Sequence, residues 1–157
     1  LNKEAWKKLS RKFKWNEELL QKYRSEIDWE ALSSNYEMLW TASILENFKN
    51  YINWKELSGN APERLLTPKI IEQFADKWDW HELSDNSNLK LSYAMLDKFA
   101  DKWDWERIIN RWRSDELYTP DFLDRYKEFI PAEQFQGSNL WYALIEKRFD
   151  ELVEDIM

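Results

Sequence analysis

One histidine, no cysteine and two glycines limit the chemistry this 157-residue chain can carry. Without cysteine there is no disulfide, no thiolate nucleophile and no cysteine zinc site. His81 stands two places after an aspartate, Asp79, in a stretch with equivalents elsewhere in the chain. Those equivalents are Lys7, Glu30, Lys55 and Glu106, all charged. A position filled by charge in every other copy faces solvent, so His81 reads as a surface residue. A serine–histidine nucleophile or a histidine metal site has no further support. Asp76 and Asp79 recur as Asp101 and Asp104 at the spacing of a carboxylate pair. Glycosidases use such pairs as acid and base, but a helix N-cap explains the recurrence better. Asp85-Asn86-Ser87-Asn88 has the oxygen donors of a calcium loop without its glycine or distal glutamate, and reads as a turn between helices. With Gly59 and Gly137 alone, no phosphate-cradling glycine loop exists. The expectation is a chain with no catalytic residue, no metal and no cofactor: not an enzyme.

The elements that carry these residues form a repeat. Trp6-Lys-Lys-Leu-Ser10, Trp29-Glu-Ala-Leu-Ser33, Trp54-Lys-Glu-Leu-Ser58 and Trp80-His-Glu-Leu-Ser84 all read W-x-x-L-S. Trp105-Glu-Arg-Ile-Ile109 keeps the tryptophan, and Ala132-Glu-Gln-Phe-Gln136 keeps the spacing, so units start 23, 25, 26, 25 and 27 residues apart. Asp28, Asn53, Asp79 and Asp104 each precede a tryptophan and suit an N-cap. Glu56 and Glu82 at N3 complete capping boxes with Asn53 and Asp79. A second set of caps, Asn16, Thr41, Thr67, Ser92 and Thr119, precedes a second helix in each unit, with Pro68 and Pro120 at N1. Around each cap an apolar residue precedes it and another follows four places on, as in Trp15 and Leu20 or Trp78 and Leu83, the pattern of a hydrophobic staple.

Each unit therefore predicts a short first helix of roughly two turns, ending near S-x-N, and a second helix of about three turns. Helices this short are marginal alone and must bury their stripes on neighbours. The expected fold is all-α: an α-solenoid of about five to six helix-turn-helix repeats, one domain over 1–157 with units starting near Trp6, Trp29, Trp54, Trp80, Trp105 and Ala132. A longer C-terminal helix with the stripe Trp141, Leu144, Ile145, Phe149, Leu152, Val153 and Ile156 is expected to cap the array, or to begin another unit. A chain opening on Leu1 reads as processed or as part of a longer protein.

The pattern K-W-D-W-x-x-L-S-x-N, carried by Lys77 to Asn86, resembles tryptophan-rich repeats of uncharacterised bacterial and large-DNA-virus proteins. The resemblance implies a repeat architecture and no particular reaction. Around Ile109-Asn110-Arg111-Trp112 the unit that starts at Trp105 departs from L-S-x-N.

The net charge of −7 argues against general affinity for nucleic acid or anionic membrane. The one basic strip is Lys3, Lys7, Lys8, Arg11, Lys12 and Lys14. No apolar run is long enough to span a membrane, and the absence of cysteine and of a visible signal peptide is compatible with the cytoplasm. The functional expectation is a protein-binding or spacer module. Its candidate contact residues are Trp112 with Arg111 and Arg113, the first-helix positions Arg107, His81 and Lys55, and the out-of-register Tyr36 and Tyr93. The alternatives are an acidic inhibitor or nucleic-acid mimic seated in a basic groove, and a nucleic-acid-binding solenoid.

Overall fold

A computed structural model describes residues 2–112, 114 and 116–157. Its packing divides the chain into two compact units, Leu1–Lys90 and Leu91–Met157, within what the sequence reading treats as one repeat domain. Among the described residues every regular element is helical. The first unit holds α1 (Lys3–Lys12), α2 (Glu17–Lys22), α3 (Trp29–Ser33), α4 (Ala42–Asn47), α5 (Trp54–Asn60), a single 3₁₀ turn (Glu63–Leu65), α6 (Pro68–Gln73) and α7 (Trp80–Asp85). Here α1 packs on α3, α3 on α5 and α5 on α7, so the first helices of successive repeats lie in series. The second unit holds α8 (Tyr93–Lys98), α9 (Trp105–Ile108), α10 (Pro120–Tyr126), α11 (Ala132–Phe135) and α12 (Asn139–Ile156).

The caps lie where the side-chain chemistry places them. Asn16, Thr41, Thr67, Ser92 and Thr119 each accept the amide three residues on, at 2.8–3.3 Å. Asp28, Asn53, Asp79 and Asp104 do the same for the tryptophan helices. Both members of the staples Ile27 and Leu32, Ile52 and Leu57, Trp78 and Leu83, and Trp103 and Ile108 are buried.

Three expectations need correction. The second helices are shorter than three turns: α2, α4, α6 and α8 have six residues each. Each stops at the repeated aromatic, whose backbone enters the bridge region, as at Phe74 with φ −112° and ψ 27°. The chain then makes one further turn, in which the Phe74 carbonyl accepts the amides of both Lys77 and Trp78. The same double acceptance recurs at Tyr23, Phe48, Phe99 and Tyr126. The first unit also begins differently, because α1 is capped by Asn2 and Trp6 lies inside it. Finally, α12 does not bury its stripe. Only Leu140 is fully buried, while Ile145, Phe149, Leu152, Val153 and Ile156 are exposed. At 18 residues α12 outruns the other helices of its unit, which have four to seven, and its second half is left exposed.

Candidate functional site

The repeated serines, asparagines and cap residues are taken up by the joints between repeats. The caps Asp28, Asn53 and Asp79 are each engaged from two directions. Asn53 Oδ1 caps α5, while its own N–H donates to Ser33 Oγ of the preceding repeat at 3.0 Å. Asp79 N–H donates to Ser58 Oγ at 2.9 Å and Asp28 N–H to Ser10 Oγ at 3.0 Å. The reciprocal half of the expected capping boxes is therefore replaced: the cap amide meets the serine of the previous W-x-x-L-S, not Glu56 or Glu82. Ser10, Ser33, Ser58 and Ser84 are all buried. Ser33 and Ser84 also donate to the carbonyl four residues back, at 2.6 Å.

The asparagine of S-x-N works the same way. Asn35 donates through Nδ2 to the carbonyls of Ser10 and Phe13, and its Oδ1 accepts Glu37 N–H. Asn86 reproduces this on Ser58, Ala61 and Asn88. A buried amide side chain that satisfies three backbone groups is favourable only when all three are in place. The calcium-loop reading of Asp85 to Asn88 ends here, since Asn86 faces inward. Asn60 departs from the pattern: it is exposed and bonds the Glu56 carbonyl of its own helix.

The tryptophans that open the first helices are latches, with Trp29, Trp54 and Trp80 half-buried and Trp105 buried. The indole N–H of Trp29, Trp54, Trp80 and Trp105 donates to the carbonyl five residues earlier, at Arg24, Lys49, Ala75 and Ala100. The rings of Trp29, Trp54 and Trp105 then pack on Phe48, Phe74 and Tyr126 of the following second helix, with centroids 4.9–5.6 Å apart. One side chain thus ties the joint before it to the helix after it.

The pattern breaks at Asn110 to Trp112, and there the backbone is held by other means. The Tyr118 hydroxyl donates to the Ile108 carbonyl at 2.6 Å and accepts Arg111 N–H at 2.9 Å. Asn139 Nδ2 donates to the carbonyls of Asn110 and Arg111, and Asn139 N–H meets Asn110 Oδ1. Leu140 N–H adds a bond to the Ile109 carbonyl. On this anchored segment the Trp112 side chain is 80% exposed. Sequence reasoning missed Tyr118 and Asn139 as the anchors. Tyr118 reads as a staple residue, and its hydroxyl acquires meaning only from the buried carbonyl beside it.

The other candidates separate. Arg111 occupies the register position of Asn35 and Asn86 and is 9% exposed, so it belongs to the interior and not to a contact surface with Trp112. Tyr93 is half-buried: its hydroxyl lies 3.3 Å from Thr119 Oγ1, its ring packs on Tyr126, and the Arg125 guanidinium sits 4.4 Å above it. Arg125 in turn pairs with Asp97 at 2.7 Å, and the Tyr126 hydroxyl donates to the same carboxylate at 2.8 Å. Burial first, and the Asp97 carboxylate second, push the Tyr126 phenol up to about 12. Lys55 and His81 are exposed on their helices, and Arg107 is half-exposed. Tyr36 is 82% exposed beside a groove of about 240 Å³ lined by Ser34, Asn35, Met38, Trp40 and Asn88. Arg113 lies outside the described residues.

Among the described residues no cluster of histidine or carboxylate side chains could hold a metal ion. No helix among them is long and apolar enough to cross a membrane. No family model matches the chain, and no curated protein and no solved structure shows significant similarity to it.

Proposed function

We propose that this chain is a non-enzymatic α-solenoid module that binds another protein, with Trp112 as an anchor of the contact. The carrying observation is the contrast between Trp112 and the tryptophans in register. Trp29, Trp54, Trp80 and Trp105 spend the indole N–H on the joints, and Trp29, Trp54 and Trp105 their rings as well, whereas Trp112 presents its ring to solvent just after a backbone that Tyr118 and Asn139 hold through Arg111. A large aromatic on a pre-ordered backbone loses little entropy on binding and is a favoured hot-spot type. The cap aspartates and buried serines have structural partners, which supports a role outside catalysis. The acidic-mimic reading gains nothing from the repeated aspartates, since Asp28, Asp79 and Asp104 face their own helix amides.

The test is affinity capture with the native chain, Trp112→Ala and Tyr36→Ala side by side. The proposal expects a protein retained by the native chain and by Tyr36→Ala and lost with Trp112→Ala. Equal retention by all three overturns the assignment to Trp112.

A second reading, polyanion binding, has one observation in its favour. Lys7, Lys8, Arg11 and Lys12 of α1 line a shallow groove of about 340 Å³ with Glu4 as its acid. It expects binding to a nucleic-acid oligomer that weakens steeply with salt. No binding at low salt removes it.

A further inference from the structure

The second half of α12 carries an apolar face that its own unit leaves uncovered, and that face has a specific spacing. Tyr142, Ile145, Phe149, Leu152 and Ile156 follow one another at intervals of 3, 4, 3 and 4 residues. All five are exposed, Phe149 at 64% and Ile156 at 85%. A 3-4 alternation is the seam of a helix that packs on one other helix, and exposed Val153 extends it at one flanking e position. In heptad terms Tyr142, Phe149 and Ile156 occupy the a positions and Ile145 and Leu152 the d positions.

The charges beside the seam select the partner and its direction. In a parallel pair each residue faces its own copy, so Phe149 meets Phe149, and the g residue Arg148 lies beside the e residue Val153. No charge is matched. In an antiparallel pair an a residue packs against a d residue. Phe149 then faces the partner's Leu152, and Ile145 faces the partner's Ile156. Two-fold symmetry repeats both contacts, giving four apolar layers that each join a larger or equal side chain to a complementary one. In this register Arg148 comes beside the partner's Asp155, again twice, and Glu146 faces only the partner's Val153. Arg148 lies on the surface, held 3.3 Å from Glu151 of its own helix, and its long side chain can change partner at small cost.

We infer that α12 is a self-association element: two copies of this chain pair through antiparallel α12 helices, with Phe149 on the partner's Leu152 and Arg148 on the partner's Asp155. The surface is self-complementary, as a two-fold interface requires. It is separate from Trp112 and does not rest on the reading given to that residue.

Sedimentation velocity of the full chain from roughly 5 to roughly 500 µM tests it, because a reversible dimer shifts with concentration by mass action. The expected mass rises from 19.3 kDa toward twice that value. Phe149→Glu should remain monomeric throughout with an unchanged far-ultraviolet helix signal, since the ring is mostly exposed. Arg148→Asp and Asp155→Arg should each weaken association by roughly tenfold or more, through two broken pairs and two new like-charge contacts. The double variant should recover to within about threefold of the native chain. A chain that stays at 19.3 kDa at every concentration overturns the proposal, as it would if another protein normally covers the seam. Association that survives Phe149→Glu overturns it too, as do single charge variants without effect, the result that a parallel pair would give.

Discussion

Replacing Ser58 by alanine removes two atoms of chemistry, one oxygen and its proton, from a fully buried position. The oxygen accepts the amide of Asp79 at 2.9 Å, and that amide has no helical partner because Asp79 is the cap of α7. An intramolecular hydrogen bond contributes about 1 kcal/mol net, and a donor left without a partner away from water costs about 1–3 kcal/mol. Asp79 is half-buried, so water reaches part of its surface and the middle of that range applies. The expected loss is about 2 kcal/mol. For a chain of this size each kcal/mol lowers Tm by roughly 2–4 °C. Chemical denaturation and calorimetry of Ser58→Ala measure it. The control is Asn60→Ala, which removes an exposed side chain bonded only to Glu56 of its own helix and should cost under about 0.5 kcal/mol. A Ser58→Ala loss no larger than that of Asn60→Ala would refute the reasoning, since the serine would then be a helix residue that merely happens to be buried.

Asn86→Ala should cost more, about 2–4 kcal/mol, because the Ser58 carbonyl and the Asn88 amide lose their partner and the Ala61 carbonyl keeps only Asn88 Nδ2; equilibrium unfolding reads it directly. Gly137 has φ +84° and open space around its α-carbon, so Gly137→Ala should lose roughly 1–2 kcal/mol through backbone strain alone. The Tyr126 phenol is raised above its ordinary 10 to about 12. Its contribution is therefore complete below pH 10 and lost as pH climbs toward 12. Thermal unfolding of the native chain should fall more steeply than that of Tyr126→Phe across this window, and parallel curves would contradict the assignment.

Much of the joint was legible because it is written in local chemistry. A cap residue and an apolar residue four places on act within one turn, so Asn16 and Leu20 or Asp79 and Leu83 declare themselves from spacing. The serine and asparagine of L-S-x-N were visible as repeated letters but not as bonds, because their partners lie 18 to 28 residues away in the preceding repeat. The second helices looked longer than they are because Phe74 and Trp78 keep helical spacing while the backbone between them leaves and re-enters a turn. Arg111 was misjudged for a related reason: charge suggested exposure, yet the residue fills the register of a buried asparagine. Trp112 was singled out as lacking an equivalent, but the register that Arg111 shares with Asn35 and Asn86 places it with Tyr36 and Ser87, and its exposure matches that of Tyr36. The uncovered face of α12 was read as a cap, since a helical stripe alone does not say which element covers it.

The central claim is that the tryptophans that open the first helices hold the fold and Trp112 does not. Denaturant unfolding of Trp80→Ala and Trp112→Ala tests it most directly. Trp80 is half-buried and latched to the Ala75 carbonyl at 3.0 Å, so its loss should cost about 2–4 kcal/mol, below the full range for a core tryptophan. Trp112→Ala should lie within about 0.5 kcal/mol of the native chain. Equal losses, or a larger loss at Trp112, would contradict the account.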